Sequence, residues 1–195
     1  TQAKTLFPYT TLFRSNRLKQ TVQDADDANP VTANIEATVQ YGYDAVDNLR
    51  RVIDPNLLVT DYTYDGLNNL TRLDSPDTGS TTYAYDDAGN RVGQSDARGV
   101  QTIYRYDATN RLLFIEYPSE PAKNTEFRYD QSHADCALEE RNGKARLTEM
   151  IDASGSSQFC YDRHGNLTRK LQITQGRSLE LRNRYSTADR WMGMT

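Results

Sequence analysis

The feature that most constrains the fold of this chain is a Tyr-Asp pair that recurs along it. The first four copies are spaced 21 residues apart, and intervals of 23 and 32 residues follow. The six copies are Tyr43-Asp44, Tyr64-Asp65, Tyr85-Asp86, Tyr106-Asp107, Tyr129-Asp130 and Tyr161-Asp162. A fixed period of this length is typical of repeat proteins, in which each unit buries its surface against its neighbours.

A common pattern surrounds each pair. An aromatic residue stands two positions before the tyrosine. Because residues i and i+2 of a strand face the same side, the two rings should stack on one face. The aspartate can cap a following turn. The residue before the motif asparagine is Gly89 or Gly165 in two copies and Asp47 or Asn68 in two others, and all four tolerate a left-handed conformation. In the copy at Tyr106 the residue before the Asn is Thr109, and we interpret this copy as one residue shorter.

The repeated unit predicts an all-β fold. A second turn motif, Asp-x-x-Gly, occurs at Asp96–Gly99 and Asp152–Gly155, so each 21-residue unit should hold two short strands and two turns. Successive units should pair as antiparallel β-hairpins from about residue 36 onward. The extra length of the 32-residue copy lies in Gln131–Lys144, where the strand pattern is weakest. One face of the sheet should bury the tyrosines Tyr43, Tyr64, Tyr85 and Tyr106.

Composition and charge exclude several classes of function. The net charge of −4 would repel a phosphate backbone, so we expect no nucleic-acid binding. No apolar run approaches the roughly 18 residues of a membrane span, and the sequence shows no targeting signal. The two cysteines, Cys136 and Cys160, could pair, but their spacing does not decide this, and we interpret both as unpaired thiols.

The best-formed copy has a family resemblance. The segment Tyr161–Arg169 reads Tyr-Asp-x-x-Gly-Asn-Leu-Thr-Arg and resembles the YD repeat of RHS proteins, and Cys136–Asp162 resembles a longer variant of that repeat. The resemblance covers about residues 16–190 and implies a curved YD-repeat sheet that forms the wall of a spiral shell. The family includes bacterial polymorphic toxins, insecticidal toxin-complex subunits and, more distantly, animal teneurins. In the bacterial toxins, the shell encloses a C-terminal toxin domain.

This resemblance implies a structural function, as a wall segment of a shell around a toxin domain. The partners would be further YD repeats and the toxin domain of the same full-length chain, which would be secreted or on the cell surface. We expect no catalysis, cofactor or metal in this segment. An alternative is a repeat module that binds carbohydrate or a cell surface through rows of exposed Tyr and Asn. Structural roles are assigned to the repeat-motif residues Tyr43, Asp44, Tyr64, Asp65, Tyr85, Asp86, Gly89, Asn90, Tyr106, Asp107, Tyr129, Asp130, Tyr161, Asp162, Gly165 and Asn166.

Four groups of residues have a partial likeness to catalytic, metal-binding or modification sites. Paired acids such as Asp86-Asp87 or Glu139-Glu140 could serve acid–base catalysis, but an acid that recurs in six copies indicates structure. His133 and Cys136 have zinc-like spacing without a second pair. Sequons for asparagine glycosylation, such as Asn69-Leu70-Thr71, fall inside the repeat motif, and the motif explains them without a glycan. A calcium loop would need a Gly and a distal Glu that are missing near Asp24, Asp26 and Asp27.

The start of the chain departs from the repeat. Residues 5–15 resemble the in-frame translation of a widely used sequencing adapter, although a genuine strand rich in Thr and Phe is the alternative. They stand where a Tyr-Asp-x-x-Gly turn should precede Asn16, which resumes the repeat. We therefore divide the chain into an artefactual segment at 1–15, a partial repeat array at 16–190 and a truncated end at 191–195. The chain is expected to be a fragment, and long-read sequencing should recover the missing turn.

A family feature that closes the shell is also only partly matched. The closing segment resembles Asp-Pro-x-Gly followed by a glycine-rich run. Asp54-Pro55-Asn56-Leu57 shares its first two residues, but Leu57 stands in place of the glycine. We interpret Asp54–Leu57 as an ordinary repeat turn.

Overall fold

The computed structural model of the chain describes residues 9–14, 17–25 and 35–195. Within these ranges it contains sixteen strands and two 3₁₀ turns, Pro121–Lys123 and Leu138–Glu140. Strands β1–β8 are Tyr9–Arg14, Arg17–Ala25, Ile35–Tyr43, Leu49–Ile53, Val59–Tyr64, Leu70–Ser75, Gly79–Tyr85 and Arg91–Ser95. Strands β9–β16 are Gln101–Tyr106, Leu112–Glu116, Thr125–Tyr129, Leu147–Asp152, Gly155–Tyr161, Leu167–Thr174, Arg177–Tyr185 and Trp191–Met194.

Strands that are neighbours in the sheet are consecutive in the chain, and the consecutive pairs from β1 to β7 and from β9 to β16 are antiparallel. The chain divides into two compact units. The first comprises the described residues up to Tyr85 together with Gln94–Val100, and the second comprises Asp86–Gly93 and Gln101–Thr195. The prediction of an all-β fold of antiparallel hairpins is confirmed, and residues 41–116 contain no helix.

The Tyr-Asp hairpins share one irregularity of register. The pairing shifts by one residue between Gly42 and Tyr43, between Thr63 and Tyr64, and between Cys160 and Tyr161. A turn followed by one residue of positive φ produces such a bulge in an antiparallel hairpin. Because of the bulge, side chains on both strands of the hairpin keep the same alternation between the two faces of the sheet. The tyrosines of each copy therefore point to the same face.

Within each unit, the repeat tyrosines lie on one face, which we call the aromatic face. In the first unit, Tyr41 pairs with Val52 and Val52 with Thr60, and Tyr62 pairs with Leu73 and Leu73 with Thr81. This register places Tyr43, Tyr64 and Tyr85 on the same side. In the second unit, the same alternation aligns Tyr106, Tyr129 and Tyr161. These side chains are half-buried, so the expected burial of the tyrosines is reached only in part.

The opposite face is dominated by ion pairs, and we call it the ionic face. Arg51 binds Asp61 in the first unit, and Arg105 binds Glu116 in the second. These pairs are largely exposed, so each adds little stability. Among the described residues, the buried apolar side chains are Cys136 and Cys160, with 4% and 2% of their surface exposed. The sheet is therefore stabilised by half-buried rings and strand pairing, without a deep apolar core.

The two ends of the described chain are paired strands. Tyr9–Arg14 pairs with Arg17–Ala25, and Trp191–Met194 pairs with Arg177–Tyr185. The adapter-like residues 5–8 and 15 lie outside the described residues. The division of the chain at residues 15 and 190 therefore stays a prediction. No helix in the described ranges is both long and apolar enough to cross a membrane.

Candidate functional site

The Tyr-Asp turn is the recurring site of this chain, and the aspartate organises it. Oδ1 of Asp65 accepts hydrogen bonds from the main-chain nitrogens of Leu67 and Asn69, each at 2.9 Å. Its Oδ2 accepts a third bond from the Asn69 side-chain amide at 3.0 Å. The same three bonds form at Asp44, Asp86 and Asp162. Each carboxylate accepts one bond from the main-chain nitrogen two residues later. It accepts two more from the main chain and the side-chain amide of the asparagine four residues later, which is Asn48, Asn90 or Asn166.

These bonds favour the ionised carboxylate. The main-chain and side-chain groups of Asn69 lower the pKa of Asp65 from its ordinary value. The side-chain amide of Asn90, helped by its main chain, lowers the pKa of Asp86. A carboxylate that accepts several hydrogen bonds is favoured over the neutral acid, which would lose an acceptor. The lowered pKa of these aspartates is therefore a property of turn capping and needs no reactive partner.

In five of the six Tyr-Asp copies, all but the one at Tyr129, the fourth residue after the tyrosine has a positive φ. Gly89, Gly165, Asp47 and Asn68 occupy this position, as predicted. In the copy at Tyr106 the position is taken by Asn110, with φ of 62°. The prediction that this copy is one residue shorter is therefore wrong. Asn tolerates a left-handed conformation better than most residues, so Asn110 replaces the glycine.

Arg111 then takes the place of the motif asparagine in the Tyr106 copy. Its main-chain nitrogen donates to Asp107 Oδ1 at 3.0 Å and its Nε to Asp107 Oδ2 at 2.7 Å. Its Nη2 lies 2.9 Å from Asp130 Oδ2, and its guanidinium lies over the Tyr129 ring at 4.5 Å from the centroid. One arginine thus caps its own turn and contacts the next Tyr-Asp pair.

The tyrosine hydroxyls connect successive copies. Five of them donate to the main-chain carbonyl of the first residue of the outgoing strand in the preceding copy. Tyr85 reaches Leu70 at 3.0 Å, and Tyr106 reaches Arg91 at 3.1 Å. Tyr129, Tyr161 and Tyr185 make the corresponding bonds to Leu112, Leu147 and Leu167. We call this contact the hydroxyl link; sequence reasoning missed it because its partners are 14 to 18 residues apart.

The motif asparagines make a second connection between copies. Nδ2 of Asn48 donates to Oδ1 of Asn68 at 2.8 Å, and Nδ2 of Asn90 donates to Oδ1 of Asn110 at 2.9 Å. In each case the acceptor is the left-handed residue of the next turn. Where that residue is Gly89, no side chain is available to accept. In the sequence, an Asn or Asp at the left-handed position indicates this connection between copies, whereas a Gly indicates that it is missing.

The 32-residue copy has a different turn. Asp130 itself has a positive φ, and its Oδ1 accepts from the main-chain nitrogen of Ala145. Residues 131–146 therefore form an insertion between the pair and the strand that begins at Leu147. This insertion contains Cys136, which forms a disulfide with Cys160 at a Cα–Cα distance of 5.6 Å. The interpretation of both cysteines as unpaired thiols is wrong, because the inserted loop returns to strand β13.

The remaining candidate groups do not gather into a reactive site. Nε2 of His133 lies 2.9 Å from the Thr148 carbonyl, and the Cys136 sulfur is bonded to Cys160, so this pair offers no zinc thiolate. In the part of the chain that the structure describes, no group of three His, Cys, Asp or Glu side chains could hold a metal ion. Asp26 and Asp27 lie outside the described residues.

One further copy shows how far the motif can change. After Tyr185, Ser186 stands where the aspartate is expected, and its Oγ accepts from the main-chain nitrogens of Ala188 and Arg190. Asp189 has the positive φ and accepts a bond from the Asn166 amide at 3.0 Å. The geometry of the turn thus persists where the Tyr-Asp pair does not.

Comparison with known proteins identifies these repeats. The family model described as RHS Repeat matches residues 43–80 and 85–116. The fold resembles TcdB2-TccC3 without its hypervariable C-terminal region, with a TM-score of 0.62 at 14% identity over 90% of this chain. It also resembles the Tc holotoxin pore of Photorhabdus luminescens, with a TM-score of 0.61 at 14% identity over 90% of this chain.

The chain spans about a tenth of the length of those solved structures, since it covers 10% of each. No curated protein sequence matches it. Identity this low shows a shared fold, while the family match rests on the repeat residues themselves. The Tyr-Asp turns, the all-β sheet and the family match agree that residues 43–80 and 85–116 of this chain are RHS, or YD, repeats.

Proposed function

We propose that this chain is a structural wall segment of an RHS-repeat shell that encloses a C-terminal toxin domain of the same full-length protein. The hydroxyl link supports this proposal most directly, because from Tyr85 onward it makes each copy depend on the copy before it. Tyr106, for example, satisfies a main-chain carbonyl of the preceding unit of the repeat. A chain stabilised in this way extends by adding copies and needs no deep core.

The same proposal covers partners, location and chemistry. The partners are further YD repeats and the enclosed domain, and the full-length protein is secreted or lies on the cell surface. Every repeat aspartate described above is engaged in capping its own turn or binding an arginine, so we assign it no catalytic role. The similarity to TcdB2-TccC3, a structure that lacks a hypervariable C-terminal region, supports the idea of a separate C-terminal domain.

Protease protection tests the enclosure in the full-length protein. In the unaltered protein, the C-terminal domain should resist digestion that rapidly degrades the same domain expressed alone. The double substitution Tyr106→Ala and Asp107→Ala removes one hydroxyl link and one turn cap, and should make the enclosed domain accessible. Arg98→Ala, at a side chain that is 81% exposed, is the matched control and should leave protection unchanged. Equal digestion of the free and the full-length domain would refute the enclosure.

A carbohydrate-binding module remains the alternative, because the rings of the aromatic face are half-buried and keep exposed surface. Stacking on sugars would use that surface and would not need the hydroxyl link. Soluble polysaccharides added to the full-length protein should therefore cause no change in tyrosine fluorescence if the shell proposal is right. Saturable quenching that Tyr83→Ala abolishes would favour the binding module.

A further inference from the structure

The inserted loop of residues 131–146 lies against strands β12–β14 of the second unit. Its contacts with the strands are mostly polar. His133 Nε2 lies 2.9 Å from the Thr148 carbonyl, and the Asn142 amide donates to the Tyr161 carbonyl at 3.1 Å. Nη1 of Arg169, a side chain that is 10% exposed, donates to the Asp135 carbonyl. Because folding replaces hydrogen bonds to water with hydrogen bonds inside the protein, the net contribution of each such bond to docking is modest.

The loop buries almost no apolar surface of its own. Leu138 is 79% exposed, and Ala134, Ala137 and Ala145 are exposed as well. Cys136, by contrast, is 4% exposed, and it is held by its bond to Cys160, which is 2% exposed. The disulfide therefore attaches the loop covalently to strand β13, in addition to its polar contacts with the strands.

We propose that Cys136 and Cys160 form a redox-dependent latch that docks residues 131–146 against strands β12–β14 in an oxidising environment and releases them in a reducing one. Reducing compartments keep protein thiols free, whereas disulfides persist outside the cell. The loop would therefore be open before export and closed after it. The latch stands apart from the proposed enclosure of a toxin domain, because its contacts all lie within this segment.

The closing step is a thiol–disulfide exchange with a low-molecular-weight disulfide such as oxidised glutathione. A Cys136 or Cys160 thiolate attacks one sulfur of that disulfide, forming a mixed disulfide and releasing one glutathione thiolate. The second cysteine, as its thiolate, then attacks the protein sulfur of the mixed disulfide, which forms the Cys136–Cys160 bond and releases the second glutathione thiolate. The two cysteines lose two electrons and two protons, and glutathione disulfide becomes two thiols. Opening is the reverse exchange.

Two lysines allow cleavage in the latched loop to be compared with a reference site in the same protein. Lys144 lies in the latched loop, whereas Lys123 lies in the other long loop of the second unit, between β10 and β11, and pairs only with Glu120. The full chain is digested with trypsin before and after reduction, and peptides ending at each lysine are followed by mass spectrometry. Reduction should speed cleavage after Lys144 about tenfold or more and leave cleavage after Lys123 unchanged.

A variant and a labelling assay complete the test. The double substitution Cys136→Ser and Cys160→Ser should be cleaved rapidly after Lys144 with and without reductant. Iodoacetamide should label no cysteine in the oxidised chain and two in the reduced chain. Unchanged cleavage after Lys144 on reduction would overturn the proposal, as would equal acceleration at both lysines, which would mean general unfolding. Labelling of both cysteines after oxidation would overturn it as well.

Discussion

At the scale of single residues, the repeat depends on side chains that satisfy main-chain groups. The aspartate accepts two main-chain N–H groups inside its own turn, as Asp86 does from Ala88 and Asn90. The tyrosine donates to a carbonyl in the preceding copy, as Tyr106 does to Arg91. One residue of the pair thus shapes the turn, and the other connects the copies. This division of work explains why the two residues recur together.

The aspartate predicts a response to acid. Hydrogen bonds from the Asn90 side chain and main chain lower the folded-state pKa of Asp86. Its stabilising effect is therefore fully present above the unfolded-state pKa of about 4, and is lost as pH falls through the lower folded-state value. Asp86→Asn should lower Tm at pH 7 and flatten the dependence of Tm on pH below about 4. Thermal melts by circular dichroism between pH 2 and pH 7 would measure this, and an unchanged acid profile would contradict it.

Substitution of the tyrosine should separate the contribution of its hydroxyl to stability from the contribution of its ring. Tyr106→Phe removes the bond to the Arg91 carbonyl and should cost about 1 kcal/mol of unfolding free energy. Tyr106→Ala also removes the half-buried ring and should cost about 2 kcal/mol or more. Tyr62→Phe is the matched control, since none of the described residues accepts a bond from that hydroxyl. Urea melts compare the three, and equal losses for Tyr62→Phe and Tyr106→Phe would argue against the link.

At the scale of the hairpin, one backbone position decides the turn. Asp54–Leu57 closes with the same bonds as the Tyr-Asp turns, because Asp54 Oδ1 accepts from the nitrogens of Asn56 and Leu58 at 2.8 Å. This agrees with its interpretation as an ordinary repeat turn. Leu57, however, has φ of 63° where Gly99 stands in the Asp96 turn. A leucine in this region is strained, since its Cβ crowds the backbone.

Relief of that strain should be measurable. Leu57→Gly should raise the unfolding free energy by up to about 1 kcal/mol, because the relief of strain exceeds the entropy that glycine adds to the unfolded chain. Leu67 is the matched control, as it is a turn leucine of similar exposure, 75% against 77%, without a positive φ. Leu67→Gly should lower stability by about 0.5–1 kcal/mol. Chemical denaturation of both variants decides the matter, and shifts of the same sign would refute this account.

The hairpin scale also shows how far sequence reasoning reaches. The capping aspartate and the left-handed residue were predictable because each acts within five residues of chain. The copy at Tyr106 was misread because Asn110 can serve either as the left-handed residue or as the motif asparagine, and only the backbone conformation distinguishes the two. The hydroxyl link and the disulfide depend on the register of neighbouring hairpins. The local sequence pattern of one hairpin does not specify that register.

At the scale of the whole molecule, the half-buried tyrosines predict a response to alkali. Burial raises the pKa of Tyr64, Tyr106, Tyr129 and Tyr161. The stability that these neutral side chains provide is therefore fully present below the unfolded-state pKa of about 10, and is lost as pH rises through the higher folded-state values. Stability should be level from pH 7 to about 9 and fall above about 10.

Absorbance near 295 nm, which reports tyrosine ionisation, can be followed together with the urea midpoint. The four burial-shifted tyrosines should ionise late and together with unfolding. Early ionisation of all tyrosines, without loss of structure, would show that the aromatic face is open to water and would weaken the structural assignment of these rings.

The lengthened copy suggests how such a sheet can diversify over evolutionary time. Residues 131–146 are added at the tip of one hairpin, yet Tyr161 still reaches the Leu147 carbonyl at 2.7 Å. Foreign sequence entering at a tip is thus tolerated, because the bonds that set the pairing are made farther along the strands. A gene of this kind can acquire new loops by insertion while inheriting its scaffold unchanged. For the protein engineer, the same tips are natural places to graft a peptide or an epitope.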